Sequence, residues 1–116
     1  MIVGVGIDVC DVSRFMQTVE RRPGVVHKLF TPAEAQRPVA SQAARFAAKE
    51  AFAKALGSPG GMRWLDCEVV KNADGDPAFR NAGSVAARVE ALGIRHIHLS
   101  ISHDGGFATA MVVCEA

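Results

Sequence analysis

The stretch RFAAKEAFAKALG, residues 45 to 57, limits the fold more than any other part of the chain. Alanine is the strongest helix former, and Gly57 with the GSPGG run around it is a firm stop, so the pattern predicts a helix from about Ser41 to Leu56. Small side chains cover much of such a helix, and a ligand or a neighbouring subunit can approach it closely. Glu50 and Lys54 are four residues apart and project from one face, flanked on the wheel by Ala43, Phe46, Ala47, Ala53 and Gly57. As a surface ion pair they would contribute about 0.3–0.5 kcal/mol; set among small residues they also suit the floor of a cleft. Lys49 projects roughly 100° away around the axis, beside Arg45 and Leu56.

Residues 2 to 10 predict a buried strand, with Val3, Val5, Ile7 and Val9 on one face and Ile2, Gly4, Gly6 and Asp8 on the other. The two glycines leave bare backbone beside the carboxylate, as close approach of a ligand or second chain requires. Asp8 is costly at the end of an apolar strand unless it caps the next segment, is paired, or holds a cation. If Asp8 and Glu50 converge, they offer hard oxygen donors for Mg2+, which takes one or two carboxylates and completes its shell with water and substrate phosphates. Lys54 would then contact phosphate.

Asp11 or Ser13 caps a helix running to about Arg22, with Val12, Phe15, Met16 and Val19 as its core stripe and Arg14 and Arg21 on the basic, exposed side. FTPAEA starts a short helix, with Thr31 as cap, Pro32 in the first turn and Glu34 as the capping-box partner. Trp64 to Lys71 alternates like a strand, NADGDP turns, and Pro77 to Arg80 returns. Ser84 to Leu92 is helical, and the final segment reads as two strands joined at HDGG. Strand, helices, strand pair, helix and hairpin make an α+β fold rather than repeating βαβ units.

With 116 residues, the chain is long enough for one domain. A formal net charge of +1 argues against coating nucleic acid through overall charge. No apolar run reaches the roughly 20 residues of a membrane span, and Cys10, Cys67 and Cys114 form no C-x-x-C pair, which points to a reduced, cytoplasmic setting. GVGIDV lacks the third glycine of a dinucleotide fingerprint. His96 and His98 share a strand face and read as structural rather than as zinc ligands, while Asp66 and Glu68 read as a solvated face, with a third metal-site carboxylate as the alternative. His103, beside Ser102, Asp104 and a Gly-Gly turn, stands where an imidazole and backbone amides could meet an anion.

Taken in order, VGIDV, FTPAE, RFAAKEAFAKALG, WLDCEVV, GDPAF and SISHDGGFATAMVV resemble the holo-(acyl-carrier-protein) synthases, the small group of the phosphopantetheinyl transferase superfamily. The resemblance implies a mostly antiparallel sheet packed with helices, a single domain over residues 1–116, and a homotrimer with its clefts between subunits. It implies transfer of phosphopantetheine from coenzyme A to a serine of an acyl carrier protein, releasing adenosine 3′,5′-bisphosphate. Asp8 and Glu50 take the positions of the Mg2+ ligands, and Lys54 and His103 those of groups near the coenzyme A phosphates. Arg45, Lys49 and Gly57 fall among the expected coenzyme A contacts, and Asp104 joins Glu50, Lys54 and His103 as a candidate for the chemistry. The base is open between Glu50, a metal-bound water and His103 with Asp104. Carrier proteins are acidic, so Arg14, Arg21, Arg22 and Lys28 are the expected dock. The alternative is a non-catalytic trimeric module that binds coenzyme A or a carrier protein.

Overall fold

A computed structural model describes residues 1–116. Strand β1 (Ile2–Asp11) leads straight into α1 (Val12–Arg21), followed by α2 (Val25–Leu29), α3 (Pro32–Ala35) and the long α4 (Val39–Ala55). A 3-10 turn (Trp64–Asp66), β2 (Cys67–Lys71), β3 (Pro77–Asn81), α5 (Gly83–Ala91), β4 (His96–Asp104) and β5 (Phe107–Glu115) complete the chain. The main sheet is antiparallel in the order β1-β5-β4, and β2 and β3 form a separate antiparallel ribbon. The architecture is α+β, as the element order predicts.

Local chemistry explains most boundaries. Asp11 caps α1 by accepting from the Arg14 amide at 3.0 Å. Thr31 and Glu34 form a reciprocal capping box at α3. Helix α4 begins at Val39, before Ser41, because Pro38 ends the extended entry and Gln42 ties the turn down with bonds to the Ala35 and Arg37 carbonyls. Gly105 and Gly106, at φ +56° and +81°, make the two-residue β4–β5 turn.

Trp64 to Asp66 is a 3-10 turn rather than the start of a strand, because Asp66 turns to α5 and accepts from the Ser84 amide at 2.9 Å and its hydroxyl at 2.7 Å. Those bonds pull the Asp66 carboxyl below its ordinary range. Glu68 accepts from the Thr31 hydroxyl and pairs with Arg80. Neither acid is a third metal ligand. Met16 also departs from the expected stripe and is exposed, while Phe15 is buried.

Helix α4 crosses the core face of the sheet, and the glycines of β1 set how closely. A Cβ on Gly4 would lie 1.9 Å from the Ala55 carbonyl oxygen, and one on Gly6 would lie 1.8 Å from that of Ala51. The bare backbone therefore receives a helix of the same chain, not a ligand or second chain. The expected burial of β1 holds on that face alone: Val5, Ile7 and Val9 are 54%, 58% and 60% exposed, because the helices gather on the other side. The three cysteines are free and buried, and no helix is long and apolar enough to cross a membrane.

Gly6→Ala forces β1 and α4 apart and is expected to cost at least about 3 kcal/mol in chemical denaturation. Gly60→Ala, where a Cβ meets nothing within 4 Å, is expected to stay within about 0.5 kcal/mol of the parent.

Candidate active site

Asp8 follows Gly6 on the face of β1 that carries α4, so its carboxylate emerges where the helix passes. Lys54 bends back to it, with Nζ 3.3 Å from Asp8 Oδ1 and 2.9 Å from the Ile7 carbonyl. The lysine thus pairs with the strand carboxylate rather than with Glu50, one turn earlier on its own helix. Lys54 is half exposed and Asp8 one-fifth exposed, so the pair is wet and weak. The Asp8 carbonyl accepts from the Thr109 hydroxyl at 3.0 Å, which ties the acid's backbone to β5.

Glu50 has no ion-pair partner within 4 Å. Burial pushes its carboxyl up, the Asp8 charge adds to the rise, and Lys54 offsets part of it. Two carboxylates and one ammonium leave an uncompensated negative charge at the head of a groove of about 470 Å³. Apolar side chains of α1, α2, α4 and the 3-10 turn line the groove, chiefly Phe15, Val25, Leu29, Phe46 and Trp64. Only Phe46 among these was legible beforehand as a neighbour of the pair; Trp64 and Leu29 come from segments whose role a helical wheel does not show.

This donor set fits a hard divalent cation. The electrostatic deficit sits on the hard carboxylate oxygens of Asp8 and Glu50, and such a cation takes one or two protein carboxylates and fills its shell with water and phosphate. His96 and His98 gather only Glu115, which accepts from His98 at 2.8 Å, so they do not make a zinc site.

The other expected coenzyme A contacts are dispersed. Lys49 is a correction: it is 0% exposed, and its ammonium donates to Glu34 Oε1 at 2.7 Å, the Leu29 carbonyl at 2.7 Å and the Trp64 carbonyl at 3.1 Å. No donor is left for a ligand. Arg45 is 8% exposed, donates to the Ser41 hydroxyl, and leaves its Nε without a partner. Burial, with Arg37 nearby, lowers its pKa against the pull of Glu34 and Glu68. It lines a second cleft of about 500 Å³ together with Lys71 and His103. Gly57, at φ +84°, ends α4 beside Arg88, which caps the Leu56 carbonyl.

His103 pairs with Ala108, and Ala108 with Cys10, so two strand spacings, about 10 Å, separate the histidine from β1. Within one chain His103 and Asp104 therefore do not meet Glu50. Arg14 borders the apolar groove, while Arg21, Arg22 and Lys28 are exposed along α1 and α2.

Residues 4–112 match the 4′-phosphopantetheinyl transferase superfamily. The chain belongs to that superfamily. A holo-[acyl-carrier-protein] synthase of Clavibacter michiganensis is 59% identical over 99% of this chain and 97% of its own. The crystal structure of the Neisseria meningitidis holo-[acyl-carrier-protein] synthase aligns with a TM-score of 0.90 at 32% identity over the whole of both chains. The Helicobacter pylori synthase in complex with coenzyme A aligns at 0.83, with 30% identity over 96% of this chain and 99% of the other. Among phosphopantetheinyl transferases, then, this chain sits with the holo-(acyl-carrier-protein) synthases.

A carboxyl whose pKa is higher folded than unfolded holds more protons in the native state, so stability falls as pH climbs past its ordinary value of 4.5. At pH 7 the Glu50 charge destabilises the metal-free protein. Glu50→Gln is expected to raise the metal-free Tm by a few degrees at pH 7 and by much less at pH 4.5, as scanning calorimetry would measure.

Proposed function

We propose that this transferase moves the 4′-phosphopantetheine group of coenzyme A to a serine of an apo acyl carrier protein, leaving adenosine 3′,5′-bisphosphate. The observation that carries this reading is the Asp8–Glu50–Lys54 cluster at the head of an apolar groove. Its place in a family whose relatives are named for that reaction supports it. Asp8 and Glu50 would hold Mg2+, which supplies charge neutralisation at the pyrophosphate when bound. Lys54 lies beside that site with half its surface free to meet a phosphate oxygen and to stabilise charge developing on the leaving group.

The serine oxygen forms a bond to the β-phosphorus as the bridging bond to the α-phosphate breaks. Glu50 lines the groove where the serine would arrive and is the carboxylate of this chain placed to take the serine proton. The apolar side chains of the groove give the pantetheine arm a surface to lie along, leading from the reacting phosphate. Arg14 stands at its rim, so an acidic carrier seated on Arg14, Arg21, Arg22 and Lys28 would bring its serine to the groove's polar end.

The second cleft supplies the nucleotide end. Arg45, Lys71 and His103 are cationic or polarisable groups suited to phosphate, and they line a different cleft from Glu50. A neighbouring copy would close the gap. The exposed apolar face of β1 and β5, with Val5, Ile7, Val9, Phe107 and Met111, is the surface suited to joining copies into a homotrimer. The three free thiols fit a reducing cytoplasm.

Incubation of an apo acyl carrier protein with coenzyme A, Mg2+ and this protein is expected to add the mass of one phosphopantetheine group to the carrier. An unchanged mass despite binding of both partners would leave a non-catalytic binding module as the function. Chelation of Mg2+ and Asp8→Asn are each expected to lower the rate at least about hundredfold. Arg14→Glu is expected to raise KM for the carrier about tenfold or more, with KM for coenzyme A little changed; steady-state kinetics with each substrate varied separates the two.

A further inference from the structure

The Lys49–Glu34 pair is buried and fully hydrogen-bonded, and the reaction uses neither residue directly. The ammonium has three donors and three acceptors: Glu34, the Leu29 carbonyl at the end of α2, and the Trp64 carbonyl at the start of the 3-10 turn. The Glu34 carboxylate also accepts from the amides of Thr31 at 3.1 Å and Val69 at 2.9 Å. Five backbone segments thus meet at one ion pair: α4, α2, α3, the 3-10 turn and β2.

Two of those segments are walls of the groove headed by Glu50. Leu29 and Trp64, whose carbonyls the ammonium holds, contribute their side chains to the lining, and Lys49 immediately precedes Glu50 on α4. Phe46 packs at a tilt against Trp64 with ring centroids 6.3 Å apart, so the wall that Lys49 anchors packs against α4 just before the acid. We infer that Lys49 and Glu34 are positioning residues for the transfer reaction, holding α2 and the 3-10 turn at the spacing from Glu50 that keeps the groove open.

A purely stabilising ion pair would be dispensable in favour of apolar groups, since buried pairs are often replaced at little cost when both partners change together. A positioning pair is not, because no apolar side chain can hold two carbonyls at fixed distance from one helix. The inference rests on the proposed phosphopantetheine transfer, but the pair can also be read without substrate. Trp64 is the only tryptophan in the chain, and its emission reports the position of the wall directly.

Lys49→Met alone strands the Glu34 charge and is expected to unfold the protein in part. Glu34→Gln with Lys49→Met removes both charges while the glutamine oxygen still accepts from a backbone amide. This double variant is expected to keep its far-ultraviolet circular dichroism and cooperative melting. Its Trp64 emission, recorded without ligand, is expected to shift to the red and to be quenched more by iodide. KM for coenzyme A is expected to rise about tenfold or more, whereas loss of folded enzyme alone would lower apparent kcat and leave KM unchanged. A folded double variant with parental Trp64 emission and parental KM would overturn the inference. So would a double variant that does not fold, since the pair would then serve folding. Absence of transfer by the parent protein would count against the proposed function instead, and the emission shift would then decide the role of the pair on its own.

Discussion

The contact between the backbone of α4 and the backbone of β1 governs the rest of this structure. Gly4 and Gly6 remove the side chains that would hold a helix at its usual distance from a sheet, and the Ala51 and Ala55 carbonyls occupy the space. The helix contributes alanines to the same interface, with Ala47, Ala48 and Ala51 fully buried. Two elements far apart in sequence are thereby brought close enough for short acidic side chains to act together. Asp8 has only one rotatable methylene, and a larger residue at Gly6 would lift Glu50 and Lys54 away from it.

The same closeness creates the site's electrostatic problem. Glu50 is drawn partly out of water and faced with Asp8, while Lys54 is turned toward Asp8 and the Ile7 carbonyl. Structural acids elsewhere in the chain are treated differently: Glu34 is matched by a buried ammonium, and Asp66 by a hydroxyl and an amide. A fold able to satisfy those two carboxylates leaves a third unsatisfied at a groove, which is the pattern expected where a ligand supplies the missing charge.

Local chemistry was legible in the sequence wherever the partner lay within a few residues. The Thr31–Glu34 capping box, the alanine helix with its glycine stop and the HDGG turn all appear in the structure because each is decided by neighbouring backbone. Asp8, Glu50 and Lys54 stood out because charge in small or apolar surroundings is anomalous on sight. What escaped was long-range pairing. Glu34 looked complete as a capping residue, yet it also binds Lys49 fifteen positions away and the Val69 amide thirty-five away. Helical spacing gives the direction of Lys49 and not the Glu34, Leu29 and Trp64 acceptors that lie in that direction. Asp66 read as one of an alternating strand pair because its partner, Ser84, belongs to a helix eighteen residues on.

The exposed valines and isoleucine of β1 follow from the placement of the helices on one face of the sheet. A three-stranded sheet has two faces, and the helices available, placed on the glycine side, cover only one. A longer protein would add a second layer of helices; a short one can cover the remaining face with its own copies. Under the proposed trimer, that economy also has a catalytic consequence. Coenzyme A carries one phosphate on its ribose and a pyrophosphate that joins the nucleotide to pantetheine, and the chain places Glu50 in one cleft and Arg45, Lys71 and His103 in another. Under that proposal, one coenzyme A would reach from the Glu50 groove of one copy to the Arg45 and His103 cleft of the next. Assembly and substrate binding would then depend on the same surface, and a charge placed at Ile7 would be felt at a phosphate site it does not touch.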